Sequence, residues 1–342
     1  SLSSMADVEQ DDNDNFEENR QDSIAYDQAP RKKQPARPYA VGTAPVECAG
    51  FFDDYLYRQL SWSSIIFLFS LLAIGRMFSG IKAPDCGYAS DDDEYRTIII
   101  GNIFCGVGLL LILFGSLIVC ILSLLRKQLL GIVWCVLLML GSVLYIIGSW
   151  IVVAEIPYIY CLVGAQSSDI GSRGAIIFGE YLLVALCSIL LAIDVFRERI
   201  LNDFRLRMIL YCSFTAFTSL IMFFGYALLA NYLYKLNQSI GLIAAGDYAF
   251  SAAGWFFVFL AMVIGLIVVL RARNVIVYYV ISFVYVVCGF MTAIGYWAQN
   301  VYGDHAINAY YIAMSFFIIS LSLILAVDMS VGQLIKKHVL KR

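Results

Sequence analysis

Three acidic residues lie within long apolar stretches, and they are the residues best placed to do chemistry: Glu180, Asp194 and Asp328. A charged side chain is costly inside a membrane, so such residues indicate sites for an ion, a proton or a substrate. Asp194 and Asp328 each end an apolar stretch and could form a symmetric pair that binds a cation or a proton. In the alternative, which we favour, each acid reaches headgroup water and pairs with a nearby arginine. The candidate arginines are Arg197 or Arg199 for Asp194, and Arg126 or Arg271 from neighbouring helices.

Glu180 is the stronger candidate for a buried role. It lies in the first third of its apolar stretch, whereas Met314 occupies the corresponding position in the second half of the chain. Any role of the carboxylate is therefore not duplicated. The structural alternative is an ion pair with Arg76 or Arg173.

Nothing in the sequence predicts catalysis or a metal site. The two histidines, His305 and His338, lie at the edges of the apolar stretches and belong to no HxxxH or HExxH spacing. Six of the nine cysteines lie inside apolar stretches, where cysteine behaves as a small hydrophobic residue. We therefore expect a non-enzymatic protein without a cofactor, and no feature indicates binding to nucleic acid.

Several residues between or beside the apolar stretches are candidates for covalent modification. Cys86 and Cys161 lie in two connecting segments on the same predicted side, where they either form a disulfide or stay unpaired thiols. Asn237 begins the N-x-S sequon and is a candidate for glycosylation. Cys48 and Cys120 are candidates for palmitoylation on the cytosolic side.

Composition and hydropathy define the elements that position these residues. Of the 342 residues 61% are hydrophobic and 14% are charged, against about a quarter charged in a typical soluble domain. This excludes an ordinary water-soluble globule. Each membrane helix needs about 20 mainly apolar residues. Eight stretches satisfy this requirement: 61–80, 98–125, 128–152, 174–196, 206–230, 249–270, 274–298 and 307–331.

Charge predicts the orientation and the flanking segments. Most of the 23 Lys and Arg residues lie on the side of both termini, which predicts cytosolic termini in an integral membrane protein. Residues 1–50 begin acidic and then turn basic and proline-rich, so we expect a disordered arm. Residues 336–342 form a short basic cytosolic tail. The membrane itself, endomembrane or plasma membrane, is left open.

The sequence repeats after four stretches. Four landmarks recur in the same order, so we predict two parallel four-helix repeats, 51–200 and 201–335, with a pseudo-two-fold axis along the membrane normal. Among the landmarks, 191–194 matches 325–328, and 147–150 matches 294–297. The other two matches are Arg126 with Arg271, and Asp54 to Arg58 with Asp203 to Arg207.

Small residues at helical spacing predict tight helix packing within these units. In lipid, such residues allow two backbones to approach closely. We interpret them as packing seams. They are Gly101, Cys105, Gly108 and Gly115 in the second stretch, Gly141 and Gly148 in the third, and Cys288 and Gly295 in the seventh.

Over residues 54–335 the chain resembles two tandem MARVEL-type tetraspans, the group of synaptophysin, synaptogyrin and occludin. The likeness consists of cytosolic termini, very short cytosolic joints and glycine-rich spans. It implies a role in vesicle trafficking, junctions or membrane organisation. We therefore expect a scaffold or accessory subunit of a larger membrane complex, or an organiser of a vesicle or contact-site membrane, with lipids and a protein as partners.

The alternative is a transporter or lipid-handling protein with a site between the two repeats. The groove between the repeats discriminates the two functions. A polar groove around Glu180 would favour transport, and an apolar groove would favour the accessory role.

Overall fold

The computed structural model describes residues 55–79, 93–125, 128–155, 167–196, 201, 203–235, 239–271, 275–299 and 305–339. Every regular element in these ranges is an α-helix. The eight helices are α1 (Tyr55–Ser79), α2 (Asp93–Leu124), α3 (Gln128–Ala154), α4 (Ser167–Phe196), α5 (Phe204–Lys235), α6 (Ser239–Arg271), α7 (Val275–Gln299) and α8 (His305–Val339).

All eight helices are long and apolar enough to cross a membrane. The prediction of an all-α integral membrane protein with eight spans is therefore confirmed. Most helices are longer than predicted, since polar turns at their ends continue the helix beyond the apolar stretch. In α5, for example, 32 residues correspond to about 48 Å at 1.5 Å per residue, more than the hydrocarbon core requires.

Consecutive helices pack against each other, and α8 returns to pack against α1, so the eight helices form a closed bundle. We call α1–α4 the first half and α5–α8 the second half. The halves meet where α4 packs on α5 and where α8 packs on α1. The two most buried spans are those of α4 (72%) and α8 (67%), and the other spans are 39–44% buried. A larger share of the side chains of α4 and α8 than of the other helices therefore lies inside the bundle.

Two names describe the ends of the bundle. The termini end is the end where α1 begins and α8 ends, and the far end is the opposite one. Because consecutive helices alternate in direction, α4 starts at the far end and finishes at the termini end. The same applies to α8.

The predicted packing seam between α2 and α3 is confirmed. A Cβ atom added to Gly108 would lie 2.6 Å from the Tyr145 backbone nitrogen and 2.8 Å from the Gly141 carbonyl oxygen. One added to Gly148 would lie 2.6 Å from the backbone nitrogen of Cys105. No side chain fits in this space, and the two backbones pack directly on each other. The second half has a comparable seam, where Gly295 of α7 faces Ser251 of α6.

Candidate functional site

The first buried ion pair joins the beginning of α1 to the end of α4. Arg58 donates from Nε to Oδ2 of Asp194 at 2.8 Å and from Nη2 to Oδ1 at 2.5 Å. Both side chains are almost completely buried. Gln59 continues the network, because its amide donates to the Asp194 carbonyl oxygen at 3.3 Å and accepts from the Ser123 hydroxyl of α2 at 3.1 Å.

The second buried ion pair has the same form in the second half. Arg207, near the beginning of α5, donates from Nε and Nη2 to the two carboxylate oxygens of Asp328 in α8, both at 2.6 Å. Its Nη1 donates to the Leu201 carbonyl oxygen at 2.7 Å. Asp203 caps α5, since its side chain accepts from the backbone nitrogen of Arg205 at 2.9 Å. The cap fixes the first turn of α5 and so directs Arg207 inward.

These contacts correct the predicted environment of Asp194 and Asp328. We expected each carboxylate to reach headgroup water, but they are only 2% and 3% exposed. Their partners are the arginines of two sequence landmarks, Arg58 and Arg207, because a planar guanidinium matches both oxygens of a carboxylate. Of the predicted partners, Arg271 is exposed, and Arg126, Arg197 and Arg199 lie outside the described residues.

We call these contacts the termini-end ion pairs: Arg58 with Asp194, and Arg207 with Asp328. An aromatic contact lies between them, with the rings of Trp62 and Tyr211 5.2 Å apart. Trp62 lies one turn after Arg58 on α1, and Tyr211 lies one turn after Arg207 on α5. Since each carboxylate already accepts two hydrogen bonds from a guanidinium, the arrangement fits a structural role better than cation binding.

Glu180 has different surroundings at the far end. Its Oε1 accepts from the Tyr296 hydroxyl at 2.9 Å and from the Tyr226 hydroxyl at 3.5 Å, and its Oε2 accepts from the Tyr310 hydroxyl at 2.9 Å. The Arg76 Nη1 is 3.8 Å from Oε2, close enough for an ion pair but too far for a hydrogen bond. We call Glu180, Arg76 and the three tyrosines the Glu180 cluster.

The Glu180 cluster joins the two halves. Glu180 and Arg76 belong to α4 and α1 of the first half, whereas the three tyrosines belong to α5, α7 and α8 of the second half. The Arg76 guanidinium also lies 4.0 Å above the ring of Tyr310, a cation–π contact. The predicted pairing of Glu180 with Arg76 is confirmed. Arg173, the other predicted partner, pairs with Asp169 one turn away at 3.1 Å.

The three tyrosines were not predicted from the sequence, although one feature of the repeat pointed to Tyr296. Tyr296 lies in the repeat landmark 294–297, at the position that Ser149 occupies in 147–150. The Ser149 hydroxyl donates to a carbonyl oxygen of its own helix, while the longer Tyr296 side chain reaches Glu180. Met314, the counterpart of Glu180, is fully buried. The two halves thus differ where the cluster forms.

A cavity of about 70 Å³ adjoins the Glu180 cluster. Its volume exceeds the minimum of about 10–15 Å³ that one water molecule needs. Residues from α1, α4, α5, α6 and α8 line it, so both halves contribute to its wall. The polar residues of the wall are Arg76, Arg173, Glu180, Tyr226, Tyr248 and Tyr311.

An apolar groove of about 270 Å³ lies on the surface of the bundle between α1 and α8. Leu68, Leu72 and Phe316 line its wall and are about half exposed, while Phe69 and Phe317 close its floor. The two spaces therefore differ in character. The cavity has a polar wall, and the groove suits an apolar chain.

The remaining predicted sites are less informative. Cys120 is half-buried, and its sulfur lies 3.8 Å from the Ser64 hydroxyl. Cys48, Cys86, Cys161 and Asn237 lie outside the described residues. Within the described ranges, no group of three or more His, Cys, Asp or Glu side chains could hold a metal ion.

Comparison with known protein families, with characterised proteins and with solved structures finds no match to this chain. The class that the fold defines is that of a polytopic integral membrane protein with eight candidate spans.

Proposed function

We propose that this membrane protein binds a small polar solute in the cavity beside Glu180 and carries it across the membrane. The observation that carries the proposal is the composition of the Glu180 cluster: a carboxylate from the first half bonded to three tyrosines of the second half, beside a cavity that both halves line. Of the two functions that the sequence left open, a polar groove around Glu180 favours transport.

We further propose that the halves are two parallel repeats that move relative to each other during transport. The matched sequence landmarks support this, as do the two ion pairs that tie the first helix of each half to its fourth. With cytosolic termini, the Glu180 cavity faces the exoplasmic side. Transporters built from repeats commonly bind their substrate where the repeats meet.

Energetics favour motion at the Glu180 cluster over motion within a half. A hydrogen bond to a charged group contributes about 1.5–3 kcal/mol, and water in the cavity can replace the tyrosine hydroxyls as they separate. Removing one partner of a buried ion pair costs about 3–5 kcal/mol, because the other charge stays buried. Each half should therefore move as a unit. During this motion, the hydrogen bonds between Glu180 and the tyrosines of the second half are replaced by hydrogen bonds to water.

The apolar groove between α1 and α8 favours a second candidate function, the handling of lipid. An acyl chain could lie against Leu68, Leu72 and Phe316, which are exposed on the bundle surface. A helix of a partner protein could occupy the same groove. The accessory role, the protein partner and the MARVEL-type resemblance therefore stay predictions.

Uptake into proteoliposomes tests the proposed transport function. The full-length chain would be reconstituted and tested with labelled pyruvate, glycine and methylammonium, an anion, a zwitterion and a cation. Ile177→Phe adds volume to the cavity wall, and Leu186→Phe is the matched control on the same helix, away from the cavity. Thermal unfolding of each variant shows whether it folds.

We expect saturable uptake of one solute class by the wild type and by Leu186→Phe, and at least a tenfold loss in folded Ile177→Phe. The proposal is wrong if no class enters faster than into protein-free vesicles, or if Ile177→Phe transports as well as the wild type. Co-purification with a stoichiometric protein partner, together with no uptake, would support the accessory role instead.

A further inference from the structure

The charges around the Glu180 cavity indicate which class of solute it would hold. Two guanidinium groups, those of Arg76 and Arg173, line the wall. The tyrosines of the wall are Tyr226, Tyr248 and Tyr311. A guanidinium presents planar N–H donors that match the two oxygens of a carboxylate. The carboxylate of the wall, Glu180, already accepts three tyrosine hydrogen bonds, so a cation would compete with these donors and would also lie beside two guanidinium groups. The lining therefore suits an anion better than a cation.

Charge balance sets a second condition on binding. The two arginines are offset by two buried acids, Glu180 and Asp169, so the four groups together are neutral. An anion entering this low-dielectric site would add an uncompensated negative charge, which is costly. A proton taken up with the anion would restore neutrality.

Glu180 is the group positioned to take up that proton. It lines the cavity, and the Arg76 Nη1 lies 3.8 Å from its Oε2, a distance too long for a hydrogen bond between these two atoms. Asp169, by contrast, is held by Arg173 within hydrogen-bond distance at 3.1 Å. The charged and titratable groups around Glu180 are Arg76 of α1, Tyr145 of α3, Arg173 of α4, Tyr226 of α5, Tyr248 of α6, Tyr296 of α7, and Tyr310 and Tyr311 of α8.

Resting on the proposed transport function, we propose that the solute is a small monocarboxylate anion and that Glu180 binds one proton for each anion carried. The anion's carboxylate accepts hydrogen bonds from Arg76, which moves away from Glu180. The Glu180 carboxylate then takes a proton from a hydronium ion that enters from bulk solution: one hydronium O–H bond breaks, one Glu180 O–H bond forms, and a neutral water molecule is left. The added charges, minus one and plus one, cancel.

Proton-coupled uptake of pyruvate tests this proposal. Proteoliposomes containing the full chain would carry a trapped pH dye, with labelled pyruvate outside. An inward proton gradient of one pH unit should drive about tenfold accumulation of pyruvate if one proton accompanies each anion. The dye should report one proton entering per pyruvate.

Two variants separate the roles of the carboxylate and the guanidinium. Glu180→Gln should keep exchange of internal for external pyruvate but lose accumulation driven by the pH gradient. Arg76→Gln should lose exchange at least tenfold. Arg271→Gln, at an exposed arginine at the end of α6, is the control and should behave as the wild type.

The outcomes separate this inference from the proposed function. Uptake of methylammonium or glycine in place of pyruvate would overturn the anion assignment and leave transport standing. Pyruvate uptake without proton entry, or pH-driven accumulation by Glu180→Gln, would overturn the role of Glu180. If none of the three solutes enters, both the inference and the proposed function are wrong.

Discussion

The termini end and the far end of the bundle both contain buried carboxylates near arginines, but they use them differently. At the termini end, each aspartate meets its arginine through two hydrogen bonds of 2.5–2.8 Å within one half. At the far end, Arg76 lies 3.8 Å from Glu180, and the hydrogen bonds to the carboxylate come from tyrosines of the other half. An acidic residue and an arginine thus form a buried, fully hydrogen-bonded ion pair at the termini end. At the far end they form part of a polar contact between the halves, beside a cavity.

The difference arises from what each guanidinium can reach. Arg58 and Arg207 lie in the first turns of α1 and α5, where the fork of donors faces a carboxylate of the fourth helix directly. Arg76 lies near the end of α1 and packs over the ring of Tyr310, which holds its guanidinium to one side of Glu180. The position of the guanidinium relative to the carboxylate therefore decides whether an ion pair only stabilises the fold or also forms part of a site.

The largest expected effect concerns the termini-end ion pairs. Asp328→Ala leaves Arg207 buried without its carboxylate and should lower the free energy of unfolding by about 3–5 kcal/mol. Denaturant unfolding in detergent measures the loss. The double variant Arg207→Met/Asp328→Leu removes both charges and should recover most of it. A change below about 0.5 kcal/mol in Asp328→Ala would contradict the buried pair.

A smaller effect is expected at the seam between α2 and α3. Gly108→Ala places a Cβ 2.6 Å from a backbone nitrogen of α3, so the helices must separate, at a cost of about 1–3 kcal/mol. Gly75→Ala is the control, because a Cβ there meets no atom within 4 Å. Thermal unfolding should show the Gly108 variant destabilised and the Gly75 variant unchanged or slightly stabilised. Equal stability of the two variants would show that the seam is not tight.

The smallest effect on stability is expected at the Glu180 cluster. Tyr310→Phe removes one hydrogen bond to the carboxylate and should cost about 1–2 kcal/mol, because cavity water can replace the lost donor. Tyr234→Phe, at an exposed tyrosine, is the control. A loss as large as that of Asp328→Ala would mean that the far end is as dry and fixed as the termini end.

Much of the fold could be predicted from the sequence, because hydropathy acts locally. Each span needs only a sufficient run of apolar residues, and the eight predicted stretches correspond to the eight helices. The seam glycines were also predictable, since spacing places Gly141 and Gly148 on one face of α3. The predicted helix ends were less accurate, as α4 starts at Ser167 instead of residue 174. Polar turns extend a helix without changing its hydropathy signal.

The site was only partly predictable, because its contacts join distant parts of the chain. The cost of a charge in a membrane singled out Glu180, Asp194 and Asp328. Their partners depend on helix packing: Arg58 and Asp194 are 136 residues apart, and Glu180 and Tyr310 are 130 apart. Apart from Tyr296, which replaces Ser149 in the repeat landmark, these tyrosines carry no mark in the sequence that distinguishes a hydrogen-bond donor to a carboxylate from a packing residue.

Transport through the far-end cavity requires that the cavity holds water while the termini end stays dry, a claim that two tyrosines of α5 test together. Tyr211 lies between the termini-end ion pairs, and Tyr226 lines the Glu180 cavity, yet both are nearly fully buried. Hydroxyl-radical footprinting of the reconstituted full chain oxidises tyrosines that contact water. We expect rapid oxidation of Tyr226 and protection of Tyr211. Protection of Tyr226, or equal oxidation of the two, would contradict the claim.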